Sequence, residues 1–383
     1  MNSKEYLTNR SFCPMPWTGL MYNFDGKIKN CIRSAAEIGN IQQESIEEIV
    51  NGTVNTHTKS QMLSSQPGPN CSPCYQLEKD KNSFDVISDR IFYLRELKQV
   101  PLETYQQADT FNLHTVDVRW SNLCNFSCIY CGPEFSSQWT KELSIKINTP
   151  SEEKQNKFKN YIFDHVAQLK HVYMAGGEPL LMKENLEFVE LLKEKNPEVN
   201  LRINTNLSKV DTHLFNLLSE FKNVHWTISV ESMEQEYEYI RYGGKWQDFL
   251  DNLEMVRQSD HKISFNMLHF ILNYQSIFSC IDFLKNLGFH NNSFIIGPIT
   301  GPIELDIRNL PAGPLTSTKE MLMQKINERP GYLLENSYQN MLAHIELPFN
   351  KNLVNSVKHI EAIDTRRKLE SKKIFLDFYK WTN

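Results

Sequence analysis

The sequence predicts an α/β fold: a parallel sheet of six strands joined by right-handed helical crossovers, a (β/α)6 pattern closed or partly closed like a barrel. Three observations predict it. From about residue 115 to 300, strand-like runs alternate six times with patterns of helical period. The connections between them are short. A length of 383 residues with 40% apolar and 23% charged residues is ordinary globular composition, enough for a barrel-sized domain with appendages.

The elements follow in order. "TVDVRW" (115–120) is the first strand, and Phe158, Tyr161, Ile162, Val166 and Leu169 mark one face of a helix over 152–169. "HVYMA" (171–175) is the second, followed by a helix carrying Leu186, Val189 and Leu192. "VNLRIN" (199–204) is the third, with Leu214, Leu217, Leu218 and Phe221 at helical spacing behind it. "VHWTISV" (224–230) precedes a helix at 246–258, and "KISFNMLHF" (262–270) precedes one at 275–287. "SFIIG" (293–297) is the sixth strand, and 301–383 reads as a proline-punctuated segment followed by helices. Residues 1–110 are irregular apart from a hairpin at Asp25-Gly26 in "TGLMYNFDGKIKNC". Three segments result: 1–110, 111–300 and 301–383.

Polar residues recur at one parity on four strands: Asp117 and Arg119; Arg202 and Asn204; Thr227, Ser229 and Glu231; Ser264 and Asn266. A strand covered on both faces should be almost continuously apolar. Period-2 polarity gathers these side chains on one face, which helices outside a barrel would turn into a polar lumen. Edge strands facing water would give the same pattern. On the lumen reading, Asp117, Arg119, Arg202 and Asn266 are candidates to bind a polar substrate.

The formal charge of −5 gives no whole-chain basic footprint for nucleic acid. "MNSKEYLTNR" lacks a signal-peptide core, and no run approaches the ~20 apolar residues of a membrane span, so the expected location is the cytoplasm. Seven of eight cysteines lie before residue 132, and clustered cysteines in a reducing compartment more often bind metal than form disulfides. Cys124, Cys128 and Cys131 form C-x3-C-x2-C. Structural zinc wants four ligands, whereas three thiolates on a four-iron cubane leave one iron open. The other set is Cys13, Cys31, Cys71 and Cys74. Cys280, in helical register with Ile277, Ile281, Leu284 and Leu287, reads as a core thiol. The histidines show no ligand spacing.

The C-x3-C-x2-C loop after the first strand, with aromatic Tyr130 before its last cysteine, and "GGEP" (Gly176, Gly177, Glu178, Pro179) after the second resemble the radical S-adenosylmethionine (SAM) superfamily. "SVES…EYIRYGGKW" (229–246) and "NTN" (204–206) resemble its fourth- and third-strand segments. The resemblance implies a partial (β/α)6 TIM-like barrel. It implies a SAM-binding [4Fe–4S] cluster on Cys124, Cys128 and Cys131, and cofactor contacts from Tyr130, Gly176, Gly177, Glu178, Asn204, Asn206, Ser229, Glu231 and Arg241. "FCPMPWTGLMYNFDGKIKNC" with "CSPC" is similar to the twitch or SPASM-like modules of the same superfamily, here placed ahead of the barrel. That similarity implies an auxiliary [4Fe–4S] cluster on Cys13, Cys31, Cys71 and Cys74, screened from water by Phe12, Met15 and Trp17. A four-cysteine zinc site fits the same ligands.

The activity so implied is reductive cleavage of SAM to methionine and a 5′-deoxyadenosyl radical, which takes a hydrogen atom from substrate. It requires a low-potential electron donor such as a flavodoxin or ferredoxin. The substrate expected first is a peptide or protein side chain. A small polar metabolite, sugar or nucleotide is the second, and a non-catalytic zinc or nucleic-acid-binding scaffold belongs to another class.

Overall fold

The computed structural model describes residues 11–78, 88–96, 105 and 111–382. The MNSKEYLTNR stretch and the boundary expected at 110/111 lie outside the described residues. The chain forms two compact units: Met1–Asn122 with Lys146–Ile203 and His213–Val224, and Leu123–Ile145 with Asn204–Thr212 and His225–Asn383.

In the first unit, β1 (Gly19–Asn23) and β2 (Lys27–Lys29) form the expected hairpin, and β3 (Gly39–Asn40) pairs antiparallel to β2. Gly26 sits at φ 90°, a conformation glycine enters without steric cost, and the Asp25 carboxylate accepts the Lys27 N–H at 3.2 Å. The hairpin is not a separate layer. β1 runs parallel to β4 (Thr115–Arg119), pairing Gly19 with Thr115 through Asn23 with Arg119. β5 (His171–Met174) and β6 (Asn200–Thr205) continue the parallel ladder. Their apolar row, Val116, Val118, Val172, Met174, Leu201 and Ile203, is buried. Helices Glu152–Asp164 and Lys183–Lys195 supply Phe158, Ile162, Phe188, Val189 and Leu192 to the core, as their spacing predicts.

The segment read as irregular is more helical than expected, with helices at Ile46–Asn51, Thr53–Leu63, Ser72–Glu78 and Asp89–Glu96. Thr53–Leu63 (TVNTHTKSQML) carries few apolar residues, so periodicity could not announce it.

In the second unit, β7 (Val224–Ser229), β8 (Lys262–His269) and β9 (Phe294–Pro298) are parallel. Helices Trp246–Arg257 and Ser276–Asn286 follow β7 and β8. Ser276–Asn286 buries Ile277, Phe278, Cys280, Ile281 and Leu284, so Cys280 is a core thiol whose Sγ lies 3.6 Å from the Ser232 carbonyl. After β9 come Ala312–Asn327, Tyr332–Glu346 and Leu353–Arg367, the expected helical extension. The six βα steps from β4 to β9 make the fold α/β with the strand-helix pattern of a partial barrel. No helix among the described residues is long and apolar enough to cross a membrane.

Register confirms the parity of the polar residues in each unit. Asp117, Tyr173 and Arg202 stand side by side across β4, β5 and β6, while Thr227 faces Ser264 and Ser229 faces Asn266 across β7 and β8. β4 has strands on both sides, and so does β8. Water-facing edges therefore do not explain their polarity.

Candidate functional site

The three-cysteine loop is held by backbone as much as by side chains. Ser127 N–H donates to the Tyr242 carbonyl at 2.8 Å, and Ile129 N–H donates to that of Ile240 at 2.9 Å. The "YGG" of 242–244 is thus a template for the loop. Gly243 sits at φ 106°, and a Cβ there would meet the Asn125 carbonyl at 2.8 Å. A Cβ on Gly244 would meet the Phe126 ring at 2.8 Å. Ser137 Oγ accepts the Cys124 N–H at 3.2 Å, and Trp139 Nε1 donates to the Cys128 carbonyl at 2.8 Å.

Cys124, Cys128 and Cys131 gather with Phe126 and Tyr130. Cys124 Sγ accepts from Phe126 N–H (3.4 Å) and from Asn206 Nδ2 (3.8 Å). Cys128 and Cys131 share a proton through a hydrogen bond, which holds Cys128 toward thiolate and Cys131 well above the usual thiol range. The Arg241 guanidinium favours the same negative charge on Cys128. Arg241 and Glu231 are 3% and 1% exposed, so neither could be tolerated alone. Arg241 Nη1 donates to Glu231 Oε2 at 3.0 Å and to the Tyr130 hydroxyl. Burial raises the Glu231 carboxyl above its usual range, with Arg241 opposing the shift.

One buried polar atom here, Arg241 Nε, has no partner among the described residues, and at the end of β6 Asn204 Oδ1 is likewise buried and open. A buried donor left open beside three thiols suits a small ligand carrying an acceptor group. Asn206, by contrast, is turned onto the thiol and onto Asn125 Oδ1 (3.1 Å). Ser229 lies on the register row with Asn266.

GGEP lies in the other unit. Gly176 sits at φ 110°, and a Cβ would approach the Ser121 carbonyl at 3.0 Å and Arg119 Cα at 3.4 Å. Gly177 N–H donates to that same carbonyl at 3.3 Å. The glycines therefore let the ends of β4 and β5 meet, which spacing alone did not reveal. Glu178, fully buried, accepts the Leu180 N–H at 3.1 Å and caps the Pro179–Leu181 turn.

Cys13, Cys31 and Cys71 pack with Phe12, Met15 and Trp17, the expected apolar screen, and Cys74 interacts with Cys13 and Cys31 in the same unit. Burial pushes all four thiols up, Cys31 to about 12 and Cys74 to about 11, and Cys13 also feels the other three. Three have an N–H donor, that of Met15 for Cys13, of Arg33 for Cys31 and of Arg90 for Cys74, while Cys71 bonds the Tyr75 hydroxyl, whose own proton goes to the Ser11 carbonyl. Two buried and two half-buried thiols, three of them with an N–H donor favouring thiolate, suit a cluster whose positive irons would complete the deprotonation. Arg90, 3% exposed, also donates Nη1 to the Phe12 carbonyl (2.8 Å) and pairs with Glu78. Among the described residues no three His, Cys, Asp or Glu side chains close round a single ion. The thiols are gathered more loosely than a mononuclear site.

Asp117 and Arg119 form a two-pronged ion pair at 3.0 and 3.1 Å. Burial raises the Asp117 carboxyl and Arg119 lowers it. Arg119 and Arg202 both stand over the Tyr173 ring, at 6.0 and 5.3 Å. Tyr173 escaped the sequence reading although it shares the parity of Asp117 and Arg202. Trp139, Asn125, Tyr75 and Arg90 carried no motif at all.

The family model of the radical SAM superfamily matches residues 118–284, spanning the three cysteines, GGEP and the YGG template. That of an iron–sulfur cluster-binding domain (SPASM) matches 13–75, spanning the four others. The chain thus carries a radical SAM domain and an iron–sulfur cluster-binding domain, which bring [4Fe–4S] clusters and SAM as cofactors. Among its relatives, "GTP 3′,8-cyclase" of Campylobacter lari is 33% identical over 85 residues, covering 22% of this chain and 24% of that one. The protein of the same name from Aliarcobacter butzleri is 27% identical over 171 residues, covering 43% and 50%. The chain thus spans a quarter to a half of the length of the curated relatives it matches. Solved structures similar to it include anSMEcpe with bound AdoMet (TM-score 0.43, 17% identity, 56% of this chain and 60% of that one). Streptococcus suis SuiB bound to S-adenosylmethionine is another (TM-score 0.42, 14% identity, 79% and 66%).

Proposed function

We propose that the protein is a radical SAM enzyme that cleaves SAM reductively and takes a hydrogen atom from a peptide or protein side chain. The observation that carries the chemistry is the contrast between three gathered thiols beside the open Arg241 Nε and four thiols packed against apolar rings. When bound at Cys124, Cys128 and Cys131, the cluster and SAM supply one-electron cleavage of the sulfonium. The residues of the chain orient and insulate. Tyr130, Arg241 and Glu231 fix the loop, and Asn204 Oδ1 and Arg241 Nε are left for the polar end of SAM. Ser229 and the GGE backbone are assigned to the same cofactor. Asn206 holds Cys124. The four-cysteine set assists electron transfer, its full ligation leaving no iron open. Asp117, Arg119 and Arg202 bind the substrate on the Tyr173 face, with Asn266 on β8 assigned to the same task. The domain limits 1–110, 111–300 and 301–383 belong to this reading.

A nucleotide is the second reading, favoured by the curated relatives named GTP 3′,8-cyclase and by two guanidiniums on one face. The experiment is reduction of the anaerobically reconstituted protein with dithionite. Release of 5′-deoxyadenosine from SAM is expected, and a colourless, zinc-containing protein that releases none overturns the proposal. Adding peptides or nucleoside triphosphates separately decides between substrates: the true class stimulates 5′-deoxyadenosine release and is itself modified.

A further inference from the structure

We infer that the C-terminal helix Leu353–Arg367 is a clamp on the three-cysteine loop, and that Arg367 is its positioning residue. The inference rests on the reading of that loop as a cluster site. Arg367 ends its helix at Lys368, which adopts φ 54°, and only 2% of its side chain is exposed. Its guanidinium lies between two aromatic rings, 4.5 Å from the centroid of Trp139 and 4.6 Å from that of Tyr242. Both residues bond the loop at adjacent positions. The Trp139 indole N–H donates to the Cys128 carbonyl, and the Tyr242 carbonyl accepts the Ser127 N–H. One planar cation therefore ties together the two residues that fix the loop backbone.

The anchoring is specific. Arg367 Nε donates to Glu142 at 3.0 Å, and Arg366 bonds the other oxygen of the same carboxylate. Glu142 belongs to the helix Ser137–Leu143 that carries Trp139. One turn earlier, Asp364 accepts the Tyr239 hydroxyl at 2.8 Å, on the helix whose Ile240 carbonyl takes the Ile129 N–H. Both helices that frame the loop are thus held from the C-terminal one.

The charge adds a second effect. Nη1 and Nη2 of Arg367 are buried with no partner among the described residues. Stacking and one carboxylate hold the cation there at the expense of two desolvated donor groups. A shielded cation stacked on the two residues that bond the loop of the anionic thiolate cluster favours its reduced, more negative state, because low surrounding polarity strengthens the attraction. Arg367 therefore raises the reduction potential of the three-cysteine cluster, leaving the four-cysteine one unchanged.

The test compares R367M, R367K, W139F, R366M and, as control, K373M in the full chain. In cluster-free protein, amide exchange at Ser127 and Ile129 should accelerate in R367M and R367K, and less in W139F, where the stacked ring remains. After reconstitution, R367M should lower the midpoint potential of the three-cysteine cluster. Its cluster should bleach in air ~10-fold faster, the order of effect expected when a supporting contact of a metal site is lost. R367K keeps the charge but not the plane, so its potential should stay near wild type while bleaching stays fast. R366M, which loses one of the two bonds to Glu142 but keeps the stacked cation, should change less than R367M in all three, and K373M, whose ion pair with Glu370 is exposed, should match wild type. Unchanged exchange, potential and bleaching in both R367 variants overturn the clamp. If wild-type protein takes up no cluster at the three cysteines, the functional reading fails, while the exchange measurement still judges the clamp.

Discussion

The two cysteine sites are built on opposite plans. The four-cysteine set is matched: apolar rings pack against it, three of its thiols have an N–H donor and the fourth bonds the Tyr75 hydroxyl, and Arg90 and Glu78 neutralise one another beside it. The three-cysteine set has a shared proton between two thiols and an unmatched polar atom next to it, Arg241 Nε. One site is finished by the protein, while the other has positions left for something else to fill. That difference separates a site meant to persist from one meant to react.

Breaking either plan should have distinct consequences. The largest effect is expected from C128A, which should abolish 5′-deoxyadenosine release and remove about half of the roughly eight irons. C74A should remove a similar amount of iron from the other site, measured by iron analysis and Mössbauer spectroscopy, yet leave cleavage of SAM in the absence of substrate. R241M leaves Glu231 as a buried charge without its partner and should cost about 3–5 kcal/mol in denaturant unfolding of the cluster-free protein. G243A forces a Cβ into positive φ and onto the Asn125 carbonyl, so a loss of about 1–3 kcal/mol is expected. The smallest change is that of Y75F. It deletes the hydroxyl that bonds the Ser11 carbonyl at 2.9 Å and the Cys71 thiol, at a cost of about 1 kcal/mol. Its other mark should be a lower potential at the four-cysteine cluster alone, read by potentiometric EPR.

Much of this plan was legible in sequence. Strand-helix alternation gave β4 to β9 because buried strands and amphipathic helices differ in period. The cysteines were legible because thiolates at close spacing serve few purposes other than metal. The parity of Asp117 and Arg202 predicted a shared face, which register bears out, and the same rule would have found Tyr173. What escaped was of another kind. The pairing of β1 with β4 joins residues nearly a hundred positions apart, with no local signature. The glycines of GGE and YGG looked like ligand motifs, yet Gly176 and Gly243 also answer crowding between backbone segments, visible only once the chain is folded. Arg90 and Arg367 stand in no motif; each matters through the neighbours the fold gives it.

The central claim is that the three-cysteine cluster is open to SAM and the four-cysteine cluster closed. Its most direct test is EPR of the reduced protein with and without SAM, in wild type and in the C124A/C128A/C131A variant. The wild-type spectrum should change on adding SAM, and the variant should keep a cluster signal that does not respond. A SAM response that survives in that variant, or disappears in C13A/C31A/C71A/C74A protein that still holds its other cluster, would contradict the account.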